Sequence, residues 1–159
     1  MAKSQRSEMH SVLVIDSDPA SAKKIASALT GSGFEVMVAS SELAGLKIVD
    51  KAFPDAVVVR DSPPRLDSFT LCWQIHRLFN LPLILLGDKS EEEVYSPTFE
   101  VRADWDYYMH LPINYDELAA RIRVLLWRYG KAELPHRNDK RIKSMSLRGL
   151  NSSPLKGEE

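Results

Sequence analysis

The stretch Phe53-Pro-Asp-Ala-Val-Val-Val-Arg-Asp-Ser-Pro-Pro-Arg-Leu-Asp-Ser68 decides the fold of this chain. Its apolar run, residues 56–59, has the composition of a strand that is buried on both faces of a sheet. The run stops at Arg60-Asp61, a proline-rich loop follows, and Asp67 has the position of a helix cap. Because ligands and chemistry in open parallel sheets lie beyond the carboxyl ends of the strands, Arg60 and Asp61 are the first candidates for a functional site.

Four further segments have the length and composition of strands. Residues 11–15 and 83–86 are short apolar runs. Residues 34–38 alternate like an edge strand, and residues 107–110 are a candidate strand before the final helix. Apolar residues at helical spacing fill most of the intervals between them, so strands and helices alternate along the chain.

Two helices have clear start signals in the sequence, whereas a third is interrupted by a proline. Asp18-Pro19 is a cap followed by a proline at the first helical position. Asn114 and Glu117 have the spacing of a capping box at the start of the last helix. Pro97 falls inside the helix expected after the fourth strand, where a proline costs about 3 kcal/mol, so we expect that helix to be short or broken.

This alternation predicts an α/β domain, a flavodoxin-like doubly wound (βα)5 sandwich. Its parallel five-stranded sheet is expected to have the order 2-1-3-4-5. In that order the first and third strands are neighbours about 4.8 Å apart, so Asp16 and Arg60 are expected to form an ion pair. The expected organisation is a polar N-terminal tail over residues 1–10, the domain over residues 11–129 and a flexible polar C-terminal tail over residues 130–159.

The composition argues against several classes of protein. The formal net charge of −1 gives no general attraction to nucleic acid or membranes. The single cysteine, Cys72, allows neither an intrachain disulfide nor a cysteine metal cluster, which suits a cytoplasmic protein. No apolar run is long enough to span a bilayer, so we expect no membrane partner.

The chain resembles the receiver domain of two-component response regulators from about Val12 to Tyr129. No single segment is specific, but their order and spacing match, and the final helix is most similar to the winged-helix subfamily of transcriptional regulators. The matching segments are Val12-Leu-Val-Ile-Asp-Ser-Asp-Pro19, Phe53-Pro-Asp-Ala-Val-Val-Val59, Pro64-Arg-Leu-Asp67, Leu81-Pro-Leu-Ile-Leu-Leu86 and Asp116-Glu-Leu-Ala-Ala-Arg-Ile-Arg123.

The resemblance implies phosphoryl transfer from a kinase histidine to an aspartate at the end of the third strand. Two acids after the first strand would hold a divalent cation, and a Thr or Ser after the fourth strand and a Lys before a cis-proline would sense the phosphate. In this sequence Arg60 has the phosphoacceptor position, Ser17 replaces the second acid, Gly87 replaces the hydroxyl residue and Leu111 replaces the lysine. The degenerate phosphorylation pocket is therefore predicted to comprise Asp16, Ser17, Asp18, Arg60, Asp61, Gly87, Leu111 and Pro112.

These replacements agree with one another chemically. A guanidinium is not phosphorylated as a carboxylate is, and its permanent charge repels a divalent cation. The loss of one acid further weakens a site for a hard cation, which needs several oxygen ligands. We interpret the chain as a stand-alone, phosphorylation-independent receiver, a protein-interaction module in two-component-type signalling. It is expected to be no enzyme and to need no cofactor or metal.

The resemblance also implies a homodimer. Its face would consist of the helix after the fourth strand, the fifth strand and the last helix. The charged residues Asp106, Glu117, Arg121 and Arg123 are suited to that face, and the helical spacing predicts that the last three point outward or sideways. We expect protein partners in a signalling pathway and no DNA-binding domain after the last helix.

Two alternatives stay open. In the first, a one-residue bulge or a shift in register aims Asp61 into the pocket as a working phosphoacceptor, which would require Mg²⁺. In the second, basic residues of the C-terminal tail bind nucleic acid; we prefer a solubilising role for them. These residues are Arg137, Lys140, Arg141 and Lys143. Structural roles are expected for the isolated His76 and His110, and a role as small apolar filler for Cys72.

Overall fold

The computed structural model describes residues 9–62, 68–90 and 105–133. These residues form five strands and four helices that alternate along most of the chain. In chain order they are β1 (Ser11–Ile15), α1 (Pro19–Gly31), β2 (Glu35–Ala39), α2 (Glu42–Ala52), β3 (Ala56–Arg60), α3 (Ser68–Phe79), β4 (Leu83–Gly87), β5 (Tyr107–His110) and α4 (Tyr115–Arg128).

All strand pairs are parallel, and the sheet has the order β2-β1-β3-β4-β5. The predicted flavodoxin-like architecture is therefore confirmed. In the register of β1 and β3, Ile15 lies opposite Val59. The next residues along the chain, Asp16 and Arg60, consequently leave the sheet side by side at its carboxyl edge.

The sheet is buried on both faces, which explains why its central strands are almost entirely apolar. Alternate residues of β1 belong to different cores: Val12 and Val14 pack with residues of α1 and α4, whereas Leu13 and Ile15 pack with residues of α2 and α3. All four side chains are fully buried. The two cores fix the register of the strands and thereby the positions of the polar residues that follow them.

Side-chain caps begin three of the four described helices. Asp18 accepts a hydrogen bond from the Ala20 N–H at 3.0 Å at the start of α1, and Ser41 caps α2. Asn114 accepts a hydrogen bond from the Glu117 N–H at 3.0 Å at the start of α4. The predicted cap by Asp67, the helix containing Pro97 and the two terminal tails lie largely or wholly outside the described residues.

The prediction that Arg121 points outward or sideways, on a solvated face, was wrong about its exposure. Only 5% of its side chain is exposed, and its guanidinium carbon lies 3.7 Å from the ring centroid of Tyr107 on β5. The Arg121 Nη2 also lies 3.0 Å from the Glu117 carboxylate one helical turn earlier. A planar guanidinium can stack on an aromatic ring and keep its charge paired, so a helical position that looks solvated by spacing is buried here.

None of the described helices is both long and apolar enough to cross a membrane.

We expect Asn114→Ala to lower the free energy of unfolding by about 1 kcal/mol, because the Glu117 N–H would lose its cap. Asn114→Asp is the matched control, because its carboxylate accepts the same hydrogen bond. Urea denaturation followed by circular dichroism measures both variants. Equal losses in Asn114→Ala and Asn114→Asp would show that the cap does not stabilise α4.

Candidate functional site

A buried ion pair lies at the carboxyl edge of the sheet, between β1 and β3. The Arg60 Nε donates to both carboxylate oxygens of Asp16 at 3.1 Å. The Asp16 side chain is fully buried, and 19% of the Arg60 side chain is exposed. The ion pair predicted from strand order is therefore confirmed, and the carboxylate is neutralised within the chain.

Asp18 stabilises the same pair from the start of α1. Its N–H donates to the Asp16 Oδ1 at 2.9 Å, and its own Oδ2 lies 3.7 Å from the Arg60 Nη2. Its Oδ1 simultaneously caps α1 through the Ala20 N–H. Asp18 is thus both a helix cap and a second counterion for Arg60, so the two predicted roles coexist in one residue.

Ser17, which stands where the resemblance predicts a second acid, has a structural role. The hydroxyl groups of Ser17 and Ser62 lie 2.7 Å apart and share a hydrogen bond. Ser62 comes two residues after the end of β3. This contact joins the loop after β1 to the loop after β3.

The side chains at this edge of the sheet are poorly suited to bind a divalent cation. Mg²⁺ requires octahedral oxygen coordination, usually with carboxylates. Here the Asp16 oxygens are bound to a guanidinium, the neighbouring Ser17 hydroxyl carries no charge, and Arg60 places a positive charge beside them. Among the described residues there is no group of three His, Cys, Asp or Glu side chains that could hold a metal ion.

Asp61 belongs to a different cluster. Its carboxylate accepts a hydrogen bond from the Ser68 hydroxyl at 2.8 Å and lies 3.7 Å from the Lys89 Nζ. Its N–H donates to the Leu86 carbonyl at 2.8 Å, which continues the pairing of β3 and β4 by one residue. The partners of Asp61 are thus on α3 and after β4, whereas those of Asp16 are Arg60 and Asp18.

Tyr108 explains why position 87 is a glycine. A Cβ atom added to Gly87 would lie 2.4 Å from the Tyr108 Oη, closer than Cβ atoms approach other atoms, and 3.2 Å from its Cζ, so the Tyr108 side chain would have to shift. The Gly87 backbone is not left-handed, so the space is needed for Tyr108 and not for an unusual φ. The Tyr108 hydroxyl also accepts a hydrogen bond from the Lys89 N–H at 2.8 Å. Sequence reasoning missed Tyr108. The signal that could have found it is the alternation of side chains along a strand, which puts Tyr107 and Tyr108 on opposite faces of the sheet.

A cleft of about 410 Å³ adjoins the Arg60 ion pair. One wall is the first two turns of α1, and the other is the segment between β5 and α4, with a cis peptide bond between Leu111 and Pro112. Its charged lining residues are Asp18, Lys24 and Arg60, and the loop contributes Leu111, Pro112 and Ile113. Leu111, which stands where the resemblance implies a lysine before the cis-proline, thus lines a partly apolar cleft.

The four residues predicted for a dimer face all have partners within the chain. Glu117 pairs with Arg121, as described above. Arg123 donates a hydrogen bond to the Ser32 carbonyl, and its guanidinium carbon lies 4.9 Å from the Phe34 ring centroid.

Asp106 is the fourth of these residues, and it connects three elements. It accepts hydrogen bonds from the Leu83 N–H at 2.7 Å and the Tyr129 hydroxyl at 2.8 Å, and lies 3.1 Å from the His76 Nε2. Burial, together with the Asp106 carboxylate, raises the pKa of Tyr129. His76 therefore has the structural role that its isolation in the sequence predicts.

Comparison with known proteins identifies the relatives of this chain. Residues 12–123 match the response regulator receiver domain family. The transcriptional regulatory protein AfsQ1 of Streptomyces coelicolor is 35% identical over 120 residues, which cover 76% of this chain and 52% of that protein. The response regulator MprA of Mycobacterium leprae is 31% identical over 118 residues, 74% of this chain and 51% of that protein. The chain thus spans about half the length of these curated relatives.

The solved structures show the same fold. The CheY-like response regulator receiver domain protein of Methanospirillum hungatei superposes with a TM-score of 0.68 at 22% identity, covering 77% of this chain and 98% of that one. At this identity the likeness concerns the fold alone.

We expect Arg60→Met to lower the free energy of unfolding by about 3–5 kcal/mol, because it leaves the Asp16 carboxylate buried without its cation. The double variant Asp16→Asn/Arg60→Met removes both charges and should recover most of the loss. Urea denaturation measures both. A single variant as stable as the wild type would mean that Arg60 does not neutralise Asp16.

We expect Gly87→Ala to cost about 1–3 kcal/mol in the wild-type background, because the new methyl group overlaps the Tyr108 hydroxyl. In a Tyr108→Phe background the hydroxyl is absent, and the same substitution should cost less. A double-mutant cycle by urea denaturation isolates this coupling from the lost Lys89 hydrogen bond. Equal costs in both backgrounds would contradict the steric explanation of Gly87.

Proposed function

Because the chain belongs to the response regulator receiver domain family, we propose that it is a receiver in two-component signalling that acts independently of phosphorylation. In this role it is a protein-interaction module and not an enzyme, and it uses no cofactor or metal. The observation that carries the proposal is the ion pair between Arg60 and Asp16.

The ion pair supports the proposal by occupying the site of the family's chemistry. Phosphoryl transfer to this site requires a carboxylate at the end of β3 and a cation held by acids after β1. Here Arg60 ends β3, and its charge neutralises the buried Asp16 permanently. A phosphoryl group therefore has no carboxylate to attach to at the end of β3. A divalent cation has no set of free acids to bind it there.

The groups that would sense a phosphate support the same conclusion. Gly87 carries no hydroxyl, and Tyr108 occupies the volume that a side chain there would need. Leu111 carries no charge. With these residues packed as they are, we propose that the carboxyl edge of the sheet has one fixed arrangement, which protein partners recognise.

The names of the relatives extend the proposal to its biological setting. AfsQ1 is named a transcriptional regulatory protein, and MprA a response regulator. We propose that this receiver likewise acts in a regulatory pathway, through protein contacts. The proposal does not depend on a homodimer, because the charged residues predicted for a dimer face already pair within the chain.

One observation favours a second candidate function, phosphorylation of Asp61. Its carboxylate lies beside the Ser68 hydroxyl and the Lys89 ammonium group, which are the types of residue that the family uses to sense a phosphate. Against it, no group of three or more His, Cys, Asp or Glu side chains in the described part of the chain could hold the cation that phosphorylation requires. We therefore prefer the phosphorylation-independent function.

A phosphorylation assay separates the two candidates. The full chain is incubated with acetyl phosphate and Mg²⁺, and its intact mass is measured beside that of a relative with a complete acidic site. We expect the relative to gain one phosphoryl group and this chain to gain none, because Asp16 and Asp18 are paired with Arg60 and Ser17 provides no third acid.

Two variants sharpen the assay. Arg60→Asp should remain unmodified, because Gly87, Leu111 and Ser17 are unchanged. Asp61→Asn is the control for the second candidate. A phosphoryl group on the wild-type chain that disappears in Asp61→Asn would establish the second candidate and refute the first.

A further inference from the structure

We propose that the cleft between α1 and the segment Leu111–Tyr115, which ends at the first residue of α4, binds a small organic monoanion, a single carboxylate on an apolar body. The inference rests on the proposed function, because Arg60 takes part in the cleft only as a fixed cation. It goes beyond that function by giving the receiver a chemical input other than phosphate.

One charged side chain of the cleft is free to bind an anion. Arg60 and Lys24 line it with two positive charges, and Asp18 with one negative charge. Asp16 does not line the cleft, because its carboxylate is buried against the Arg60 Nε and the Asp18 N–H. Arg60 is thus paired with both Asp16 and Asp18, and among the described charged residues of the lining only Lys24 has no ion pair. One free cation matches a ligand with one negative charge.

Lys24 is the cation available to a ligand. It is exposed on the second turn of α1 and forms no ion pair with another described residue. The Arg60 Nε, in contrast, is committed to Asp16. The start of α1 is not the anion site, since Asp18 already caps it.

The other wall of the cleft is apolar. Leu111, Pro112 and Ile113 line it together with the ring of Tyr115, and Ile25 contributes from α1. Tyr115 is 36% exposed, so part of this apolar wall remains in contact with solvent beside Lys24. A ligand that places rings or a short chain on this wall would bury that surface, and this favours an amphipathic anion over an inorganic one.

The size of the cleft limits the ligand. Its volume of about 410 Å³ lies within the range of sites for small molecules, roughly 300–1,000 Å³. A bicyclic carboxylate fits such a volume. Residues from α1, from the end of β3 and from the loop before α4 would all contact it, so binding would bridge elements that are separate in the sequence.

The test uses naphthalene-2-carboxylate as the probe and the full chain labelled for NMR. We expect saturable 1:1 binding with a Kd on the order of 1 mM, and amide shift changes at Ser21, Lys24, Ile113 and Tyr115. Naphthalene-2-methanol has the rings without the charge, and acetate has the charge without the rings. Each should bind about tenfold more weakly or worse.

Matched charge reversals locate the binding site. Lys24→Glu should weaken naphthalene-2-carboxylate binding about tenfold, because it places a negative charge on the cleft wall. Lys23→Glu makes the same change on the neighbouring exposed lysine, which does not line the cleft, and should leave the Kd within about twofold. Dispersed spectra of both variants verify that they fold.

Four results would overturn the proposal. They are no saturation up to roughly 10 mM, shift changes that map elsewhere, equal binding of the uncharged alcohol or of acetate, and equal effects of Lys23→Glu and Lys24→Glu.

The phosphorylation assay is independent of this binding assay. Failure of the probe in a chain that accepts no phosphoryl group refutes the cleft alone, whereas a phosphoryl group on Asp61 refutes the proposed function whether or not the probe binds.

Discussion

A fully buried carboxylate at the edge of a parallel sheet must be neutralised, and in this chain Arg60 neutralises Asp16. An unpaired charge there would cost several kcal/mol of desolvation. The pair follows from the fold, because the order of the sheet makes β1 and β3 neighbours and their register ends both strands at the same level. Asp18 then positions α1 relative to the pair through its N–H and its carboxylate.

The sequence predicted the fold and this ion pair for the same physical reason. Strands buried on both faces are continuous apolar runs, as in residues 56–59, and the first polar residue after each run marks the edge of the sheet. Once the strand order is known, the neighbours at that edge are known too. Asp16 and Arg60 could therefore be paired before any side chain was placed.

Other parts of the site depend on packing that spacing does not encode. Helical periodicity places Arg121 on an outward face, but it carries no information about the Tyr107 ring that covers its guanidinium. Compared with the family, Gly87 has lost a hydroxyl side chain. In this structure the missing side chain leaves room for the Tyr108 ring and hydroxyl. Likewise, adjacency in sequence suggested one pocket for Arg60 and Asp61, whereas their partners form two clusters.

Asp106 has a consequence for the amino edge of the sheet. It joins the start of β4, the end of α3 and the residue after α4 at the amino edge of the sheet, opposite the ion pair. A rearrangement at that rim would have to break several hydrogen bonds to a single carboxylate together. A single carboxylate thus fastens β4, α3 and the end of α4 to one another at the amino rim.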